Sequence, residues 1–149
     1  MQNSCRKEQN AMLTSVYKHS IDAKTRLAIP AKYREELGEK FFITRSFRDK
    51  CLLVYSEEEW KNYVAPLENM PRREKEAVVR FLHKGGVWAE PDSQGRVLLG
   101  EDLVRHAGII KNAVILGCGK YAEIWSEELY NENDENIDDI VDILEKYGL

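Results

Sequence analysis

The sequence repeats itself at a constant offset of 70 residues. The stretch from Asp22 to Gly38 and the stretch from Asp92 to Gly108 carry an Asp, an Arg and a closing Gly in one register. The identical pairs at this offset are Asp22/Asp92, Arg26/Arg96, Gly38/Gly108, Lys50/Lys120, Ser56/Ser126, Glu57/Glu127 and Glu58/Glu128, and Tyr55/Trp125 and Trp60/Tyr130 are aromatic in both copies. Because a repeat of this kind forms a unit that does not bury its apolar face alone, we expect the two copies to share one core.

Each copy has the same predicted order of elements. In the first copy these are strands 13–21 and 27–29, a short helix from Pro30 to Gly38, a hairpin of strands 40–44 and 51–55, a helix capped by Ser56 and broken at Pro66, and a helix over 72–84. The second copy repeats strands 87–90, 97–99, 113–116 and 121–125 with a short helix and a helix capped by Ser126, and an amphipathic helix follows over 137–147.

Side-chain spacing predicts which faces are buried. Tyr33 and Leu37 of the first short helix should face the core, and Lys32, Arg34 and Glu36 should face outward. In the helix over 72–84 the predicted core face holds Ala77, Val78, Phe81 and Leu82. The tryptophans lie on strands and apolar helix faces, which predicts core positions for Trp60, Trp88 and Trp125.

The length of 149 residues and the apolar content of 43% suit one globular domain. We expect residues 12–149 to form a single domain of two repeats, about 12–85 and 86–149. Residues 1–11 are polar without periodicity, which predicts a disordered arm or a remnant of expression cloning.

The charge is divided unevenly between the two halves. Residues 1–88 hold 17 Lys and Arg against 12 Asp and Glu, a net +5, whereas residues 89–149 hold 5 against 14, a net -9. Although the overall charge of -4 argues against a generally basic nucleic-acid binder, this asymmetry predicts one basic face with an acidic counterpart.

Cysteine usage and hydropathy indicate the compartment. Cys5, Cys51 and Cys118 are odd in number and widely spaced, without a zinc-ligand pattern, which fits a reducing cytosol. No apolar run approaches the roughly 18 residues of a membrane span, and the beginning of the sequence lacks the apolar core of a signal peptide. We therefore expect a soluble cytoplasmic protein that does not bind membranes.

The sequence gives no support for an enzyme. Asp22 and Asp92 lack the small residues that would bring two carboxylates together as a dyad. The histidines are scattered at His19, His83 and His106, and no Ser or Cys has a recognisable activating neighbour. We expect no catalysis, no cofactor, no metal ion and no small-molecule substrate.

Several motifs together closely resemble the MraZ family of bacterial proteins. These are Asp-x-Lys-x-Arg-Leu-x-Ile-Pro-x-x-Tyr-Arg from Asp22, Cys-Leu-Leu-Val-Tyr-x-x-x-Glu-Trp from Cys51, Asp-x-Gln-Gly-Arg-Val from Asp92, and Glu-Ile-Trp from Glu123. The resemblance covers about Met12 to Tyr130. It implies an α+β fold, a pseudo-two-fold β-barrel of the swapped-hairpin AbrB type with two βαβ-type repeats in one chain and flanking helices.

The resemblance also implies a function. Members of this family are sequence-specific DNA-binding transcriptional regulators of the bacterial division and cell-wall gene cluster, assembled as a ring. We therefore expect a homo-oligomeric, nucleoid-associated protein that binds double-stranded DNA with short direct repeats, because heterologous symmetry fits direct repeats.

The sequence departs from the family pattern at two positions. Thr25 stands where the family usually has Gly, although the second copy keeps Gly95. A left-handed backbone at a β-branched residue costs about 1 to 2 kcal/mol, so the first turn is expected to differ in shape. Opposite Pro30 the second copy has Gly100, which predicts a weaker start for its short helix.

The turn residues are the predicted DNA-binding site. Arg26 and Arg96 can present planar guanidinium groups to guanine in the major groove. Asp22 and Asp92, four residues earlier, should hold them in direction through charge-assisted hydrogen bonds, since a carboxylate would repel phosphate. The remaining candidates for phosphate or base contacts are Lys24, Gln94, Lys32 and Arg34.

Two alternatives remain open from the residues. Each Asp-x-x-x-Arg motif taken alone is more simply a salt bridge that stabilises a hairpin, and only its repetition and the resemblance favour DNA recognition. The alternative function is a ring-shaped scaffold that binds an acidic protein partner through the same basic face without reading DNA.

Overall fold

The computed structural model describes residues 12–133 and 135–149. The predicted arm at residues 1–11 therefore lies outside the described residues. The strands are β1 Val16–Ser20, β2 Arg26–Ala28, β3 Phe41–Arg45, β4 Leu52–Ser56, β5 Val87–Ala89, β6 Arg96–Leu98, β7 Asn112–Gly117 and β8 Ala122–Ser126. The helices are α1 Ala31–Leu37, α2 Glu57–Val64, α3 Arg72–Lys84, α4 Glu101–Ala107, α5 Glu127–Glu132 and α6 Ile137–Lys146, with a 3-10 helix at Ala65–Asn69.

The two halves exchange strands. Six strands form one antiparallel sheet in the order β1-β7-β8-β4-β3-β5, and β2 pairs with β6 in a separate antiparallel ribbon. The first strand of each half thus pairs with the third strand of the other half, and β4 pairs with β8 across the halves. The mixed α+β architecture is confirmed. Closure of the sheet into a barrel stays a prediction, because β1 and β5 are edge strands within the part of the chain that is described.

The repeat detected in the sequence is a repeat of structure. Helices α1 and α4 begin and end 70 residues apart, as do strands β2 and β6 and strands β4 and β8. Short local signals explain this agreement. Ser56 Oγ accepts a hydrogen bond from the Glu59 N–H at 3.2 Å, and Ser126 Oγ accepts one from the Leu129 N–H at 3.1 Å, so each caps the helix that follows.

The main core lies between the sheet, the ribbon and the two short helices. Leu27 and Val97 are directly opposite each other in the ribbon and are buried. Tyr33 of α1 and Leu103 of α4 pack into the same cluster with Ile115 of β7. Full burial of an aliphatic side chain of this size contributes about 1.5 to 3 kcal/mol, which fixes the ribbon against the body of the molecule.

A second apolar cluster lies under α2 and α3. Its centre is Phe42, whose ring centroid is 4.3 Å from that of Trp60, with Tyr55 and Leu82 beside them. As predicted, helix α2 ends at Val64, where Pro66 removes a backbone donor and the chain continues as a 3-10 helix.

Helix α1 begins and ends as the sequence predicts, but one of its faces differs. Pro30 is the residue before the first turn, and the N–H of Gly38 donates to the Arg34 carbonyl at 3.0 Å. Tyr33 and Leu37 are buried as expected. Arg34 and Glu36 are half-buried, so their predicted outward positions are wrong, whereas Lys32 is exposed.

Other expectations are corrected by the packing. The predicted first strand is shorter, because only Val16–Ser20 pairs continuously and Leu13 forms a single bridge to Gly119. Ala77 lies on the exposed side of α3, and Trp88 on the edge strand β5 is 42% exposed. Trp60 is buried as predicted and Trp125 is half-buried.

The second half contains the short helix α4 and ends with the exposed helix α6. Helix α4 starts after Gly100 without a side-chain cap, as α1 does after Pro30, so the predicted weaker start of α4 stays a prediction. All residues of α6 are exposed, including its apolar stripe. Among the residues described, no helix combines the length and apolar character that a bilayer crossing requires.

Candidate nucleic-acid interface

The first turn is organised by the side chain of Asp22. Its Oδ1 accepts hydrogen bonds from the backbone N–H groups of Lys24 and Arg26, both at 2.9 Å. Its Oδ2 accepts one from Nε of Arg26 at 2.7 Å. Because the carboxylate binds both the backbone and the guanidinium of Arg26, it fixes where that side chain starts and in which direction it leaves.

The second turn has the same geometry. Oδ1 of Asp92 accepts from the N–H groups of Gln94 at 2.9 Å and Arg96 at 3.0 Å, and its Oδ2 accepts from Nε of Arg96 at 3.2 Å. The predicted hydrogen bonds between the two aspartates and the two arginines are therefore present in both turns.

The carboxyl pKa values follow from these contacts. The hydrogen bond from the Arg26 N–H is the largest cause that lowers the pKa of Asp22, and the Arg96 N–H acts in the same way on the pKa of Asp92. Both carboxylates are consequently ionised near neutral pH, and each guanidinium is held by a negative charge.

Thr25 and Gly95 occupy the left-handed position of their turns. Their φ angles are 60° and 76°, respectively. The N–H of each donates to the carbonyl of the Asp three residues earlier, at 3.0 Å and 2.9 Å. The prediction that Thr25 changes the shape of the first turn is therefore wrong: the threonine adopts the conformation that glycine has in the second turn.

A hydrogen bond to the other half offsets strain at Thr25. Its Oγ1 accepts from the N–H of Gly100 at 3.0 Å and donates to the Lys24 carbonyl at 2.6 Å. At the equivalent contact Gly95 has no side chain, and Pro30, which corresponds to Gly100, has no N–H. Thr25 and Gly100, the two departures from the repeat, are thus joined by a hydrogen bond.

The side chain of Arg34 lies close to the glycine of the second turn. A Cβ atom on Gly95 would lie 2.8 Å from Cζ of Arg34. The Nε of Arg34 donates to the Ile29 carbonyl at 3.0 Å, and the Ile29 N–H donates to the Gly95 carbonyl at 2.9 Å. Arg34 of the first half therefore packs over the turn of the second half.

The β2–β6 ribbon brings the two turns together on one face. With Leu27 and Val97 facing the core, strand alternation directs Arg26 and Arg96 to the opposite, outer face. About a third of each side chain is exposed, 34% for Arg26 and 29% for Arg96. Nη1 of Arg96 lies 3.6 Å from Oδ2 of Asp22, so the two turns are also in electrostatic contact.

The other predicted site residues differ in exposure. Lys24, Gln94 and Lys32 are exposed, and Arg34 is half-buried. Three contacts between the halves are not predicted by the sequence: Thr25 with Gly100, Arg34 with Gly95, and Asp22 with Arg96. Their only signal in the sequence is the complementary departures at Thr25 and Gly100. In the described part of the chain, no three His, Cys, Asp or Glu side chains are arranged to hold a metal ion.

Comparison with known proteins identifies the family of this chain. A sequence model of the MraZ protein family, whose description also terms it antitoxin-like, matches residues 12–80 and 83–140. The chain belongs to the MraZ family.

Curated relatives support the assignment along the chain. A protein of Thermoanaerobacter sp. (strain X514) is 48% identical over 129 residues, covering 85% of this chain and 90% of the relative. Relatives from Caldanaerobacter subterraneus subsp. tengcongensis and Ligilactobacillus salivarius are 42% and 39% identical over 144 residues, covering 93% of this chain and 100% of each relative. All three carry the name transcriptional regulator MraZ. These names describe regulators rather than enzymes.

Proposed function

We propose that this protein is a sequence-specific DNA-binding transcriptional regulator of the bacterial division and cell-wall gene cluster. The observation that carries the proposal is the pair of equivalent Asp-to-Arg turns, joined on one exposed two-stranded ribbon. The names of its relatives support a role in transcription.

The ribbon has the form that major-groove recognition uses. A B-DNA major groove admits a two-stranded β-ribbon, and an arginine that donates two parallel hydrogen bonds to guanine O6 and N7 contributes about 1 to 3 kcal/mol of discrimination. Hydrogen bonds among the described residues engage only Nε of Arg26 and of Arg96. Both terminal amino groups of Arg26 and Nη2 of Arg96 thus remain available for a base, whereas Nη1 of Arg96 lies 3.6 Å from Oδ2 of Asp22.

The free amino groups distinguish a DNA-recognition site from a salt bridge that only stabilises the hairpin. A salt bridge that only stabilised the turn would add little to the free energy of unfolding, since exposed ion pairs contribute about 0 to 1 kcal/mol. Here Oδ1 of each aspartate already closes the turn through backbone N–H groups. The additional bond from Oδ2 to Nε directs the guanidinium.

Phosphate contacts would come from the exposed rim of the ribbon. Lys24 and Lys32 are exposed cations, and Gln94 at the position equivalent to Lys24 can bind phosphate or an adenine edge. Arg34 has its Nε engaged with Ile29, which leaves its terminal amino groups for phosphate. These contacts concentrate on the first half, which holds the excess of positive charge.

Subunits of a single-chain swapped-hairpin barrel would join head to tail in a ring. Such heterologous contacts place turns in the same direction and suit short direct repeats in duplex DNA. A domain of net charge -4 should bind one site weakly. Several sites tethered in one ring raise the effective concentration, so affinity should rise steeply with repeat number.

The test begins with footprinting of the DNA upstream of the protein's own gene, followed by affinity measurements on the protected duplex. Arg26→Ala and Arg96→Ala should each lose about 1 to 3 kcal/mol and relax base preference. Lys24→Ala should weaken all sequences equally and reduce the salt slope by about 1. Arg72→Ala is the matched control, because it removes an exposed charge from α3.

Equal affinity of both Arg variants and the wild type for the protected duplex would contradict the proposal. If unrelated duplex DNA competes as well as the protected duplex at the same salt concentration, the scaffold function would replace it.

A further inference from the structure

The outer face of the β2–β6 ribbon carries an exposed leucine between the two arginines. In the antiparallel register Arg26 is opposite Leu98, and Ala28 is opposite Arg96. These four side chains share the outer face because the intervening Leu27 and Val97 point into the core. Leu98 is 61% exposed.

A single exposed leucine on a protein surface needs no explanation by itself. The position of Leu98 distinguishes it. Directly opposite residues of an antiparallel pair have Cβ atoms about 4.5 to 5.5 Å apart, so Leu98 lies beside the guanidinium stem of Arg26. A base edge that Arg26 contacts close to the ribbon therefore lies near the leucine as well.

The chemistry of the major groove supplies one apolar partner. Among the groups that the four base pairs present there, the C5 methyl of thymine is the apolar one, and the other groups are hydrogen-bond donors and acceptors. Leu98 cannot form a hydrogen bond through its side chain. A leucine on a groove-reading ribbon would thus favour a thymine and disfavour a polar base edge.

We propose that Leu98 is a specificity-determining residue that packs against the C5 methyl of a thymine beside the guanine contacted by Arg26. This inference rests on the proposed function. The Cβ atoms of the directly opposite residues Arg26 and Leu98 are about 4.5 to 5.5 Å apart, which is less than two base-pair steps of about 3.4 Å. The thymine therefore lies within about two base pairs of that guanine.

The other half lacks an equivalent group. The repeat places Ala28 at the position of Leu98, and its single methyl group reaches less far from the strand. The two pseudo-symmetric halves consequently present different surfaces to the DNA. The sequence element that one ribbon recognises should be asymmetric, with the thymine at one end only.

Deoxyuridine, which is thymine without the C5 methyl, provides the test. Each thymine of the footprinted duplex is replaced in turn by deoxyuridine, and the affinities of wild-type protein and Leu98→Ala are measured. Wild type should lose about fourfold at one position, the effect of leaving one methyl group in water. Leu98→Ala should bind the thymine duplex several-fold more weakly and lose nothing further on the deoxyuridine duplex.

Ile110→Ala is the matched control, because Ile110 is 80% exposed and lies outside the ribbon. It should keep the wild-type response at every position. The deoxyuridine series with wild-type protein is independent of how any variant folds.

Two results would overturn the assignment of Leu98: a wild-type protein indifferent to every deoxyuridine, or a Leu98→Ala variant that keeps the full deoxyuridine response. In either case the losses in Arg26→Ala and Arg96→Ala would leave the proposed function standing. If those two variants bind like wild type, the proposed function itself fails, and the role of Leu98 fails with it.

Discussion

Nη1 of Arg96 lies 3.6 Å from Oδ2 of Asp22, so an arginine of the second half shares the carboxylate that holds Arg26 of the first. Asp92 holds Arg96 through its own Oδ2 at 3.2 Å. The two aspartates, equivalent in the repeat, thus have unequal roles: Asp22 contacts both guanidinium groups, and the recorded ion pair of Asp92 is with Arg96.

This inequality predicts that Asp22→Asn impairs recognition more than Asp92→Asn. Both variants keep an oxygen that can accept the turn N–H groups, and both lose the charge that directs Nε. Asp22→Asn should lower the affinity ratio of protected to scrambled duplex by about tenfold, the order of one lost arginine–guanine contact, and Asp92→Asn by less. Equal losses in competition binding assays would show that the shared contact has no role.

Acid should weaken the folded state through the same carboxylates. Their folded pKa values are lowered, so their contribution to stability is fully present above the unfolded pKa of about 3.9 and is lost as pH falls through the folded values. The free energy of unfolding should therefore decline below about pH 4. Urea titrations followed by tryptophan fluorescence should show a shallower decline in the Asp22→Asn, Asp92→Asn double variant, and an unchanged slope would contradict this origin.

The hydroxyl of Thr25 should stabilise the folded protein, whereas its left-handed backbone should destabilise it. Thr25→Ala keeps the left-handed strain and leaves the Gly100 N–H without its acceptor, which should cost about 1 to 2 kcal/mol. Thr25→Gly loses the same bond but removes strain of about 1 to 2 kcal/mol, so its stability should stay within about 1 kcal/mol of wild type. Chemical denaturation separates the two, and an alanine variant as stable as the wild type would contradict the role of the hydroxyl.

Gly95→Ala should destabilise the protein through a clash with Arg34 as well as through backbone strain. Gly108→Ala is the control, since Gly108 has a left-handed backbone with a φ of 68° and open space at its Cβ position. We expect a loss of about 1 to 2 kcal/mol in the control and a larger loss at Gly95. Combining Gly95→Ala with Arg34→Ala should recover the difference in thermal unfolding, and no recovery would place the clash elsewhere.

The local elements were predictable because their chemistry is local. Ser56, Pro30 and Gly38 mark helix ends through contacts within four residues, and the structure places the helix boundaries there. The pairing of Asp22 with Arg26 was also readable, since both lie in one turn. The outward position predicted for Arg34 is wrong because helical spacing shows only that its side chain does not face the main core. The residue it packs against, Gly95, lies 61 residues away in the sequence.

The sequence alone determined the family, through its motifs, and also the twofold repeat and the two turns. Short-range hydrogen bonding and apolar periodicity depend on residues that are close together in the sequence. The tertiary structure decided that the halves exchange strands, and that β2 pairs with β6 so that Arg26, Arg96 and Leu98 share one face. Pairing between distant strands depends on which apolar faces bury each other in three dimensions. That choice depends on the packing of the whole chain and has no signature in any single segment.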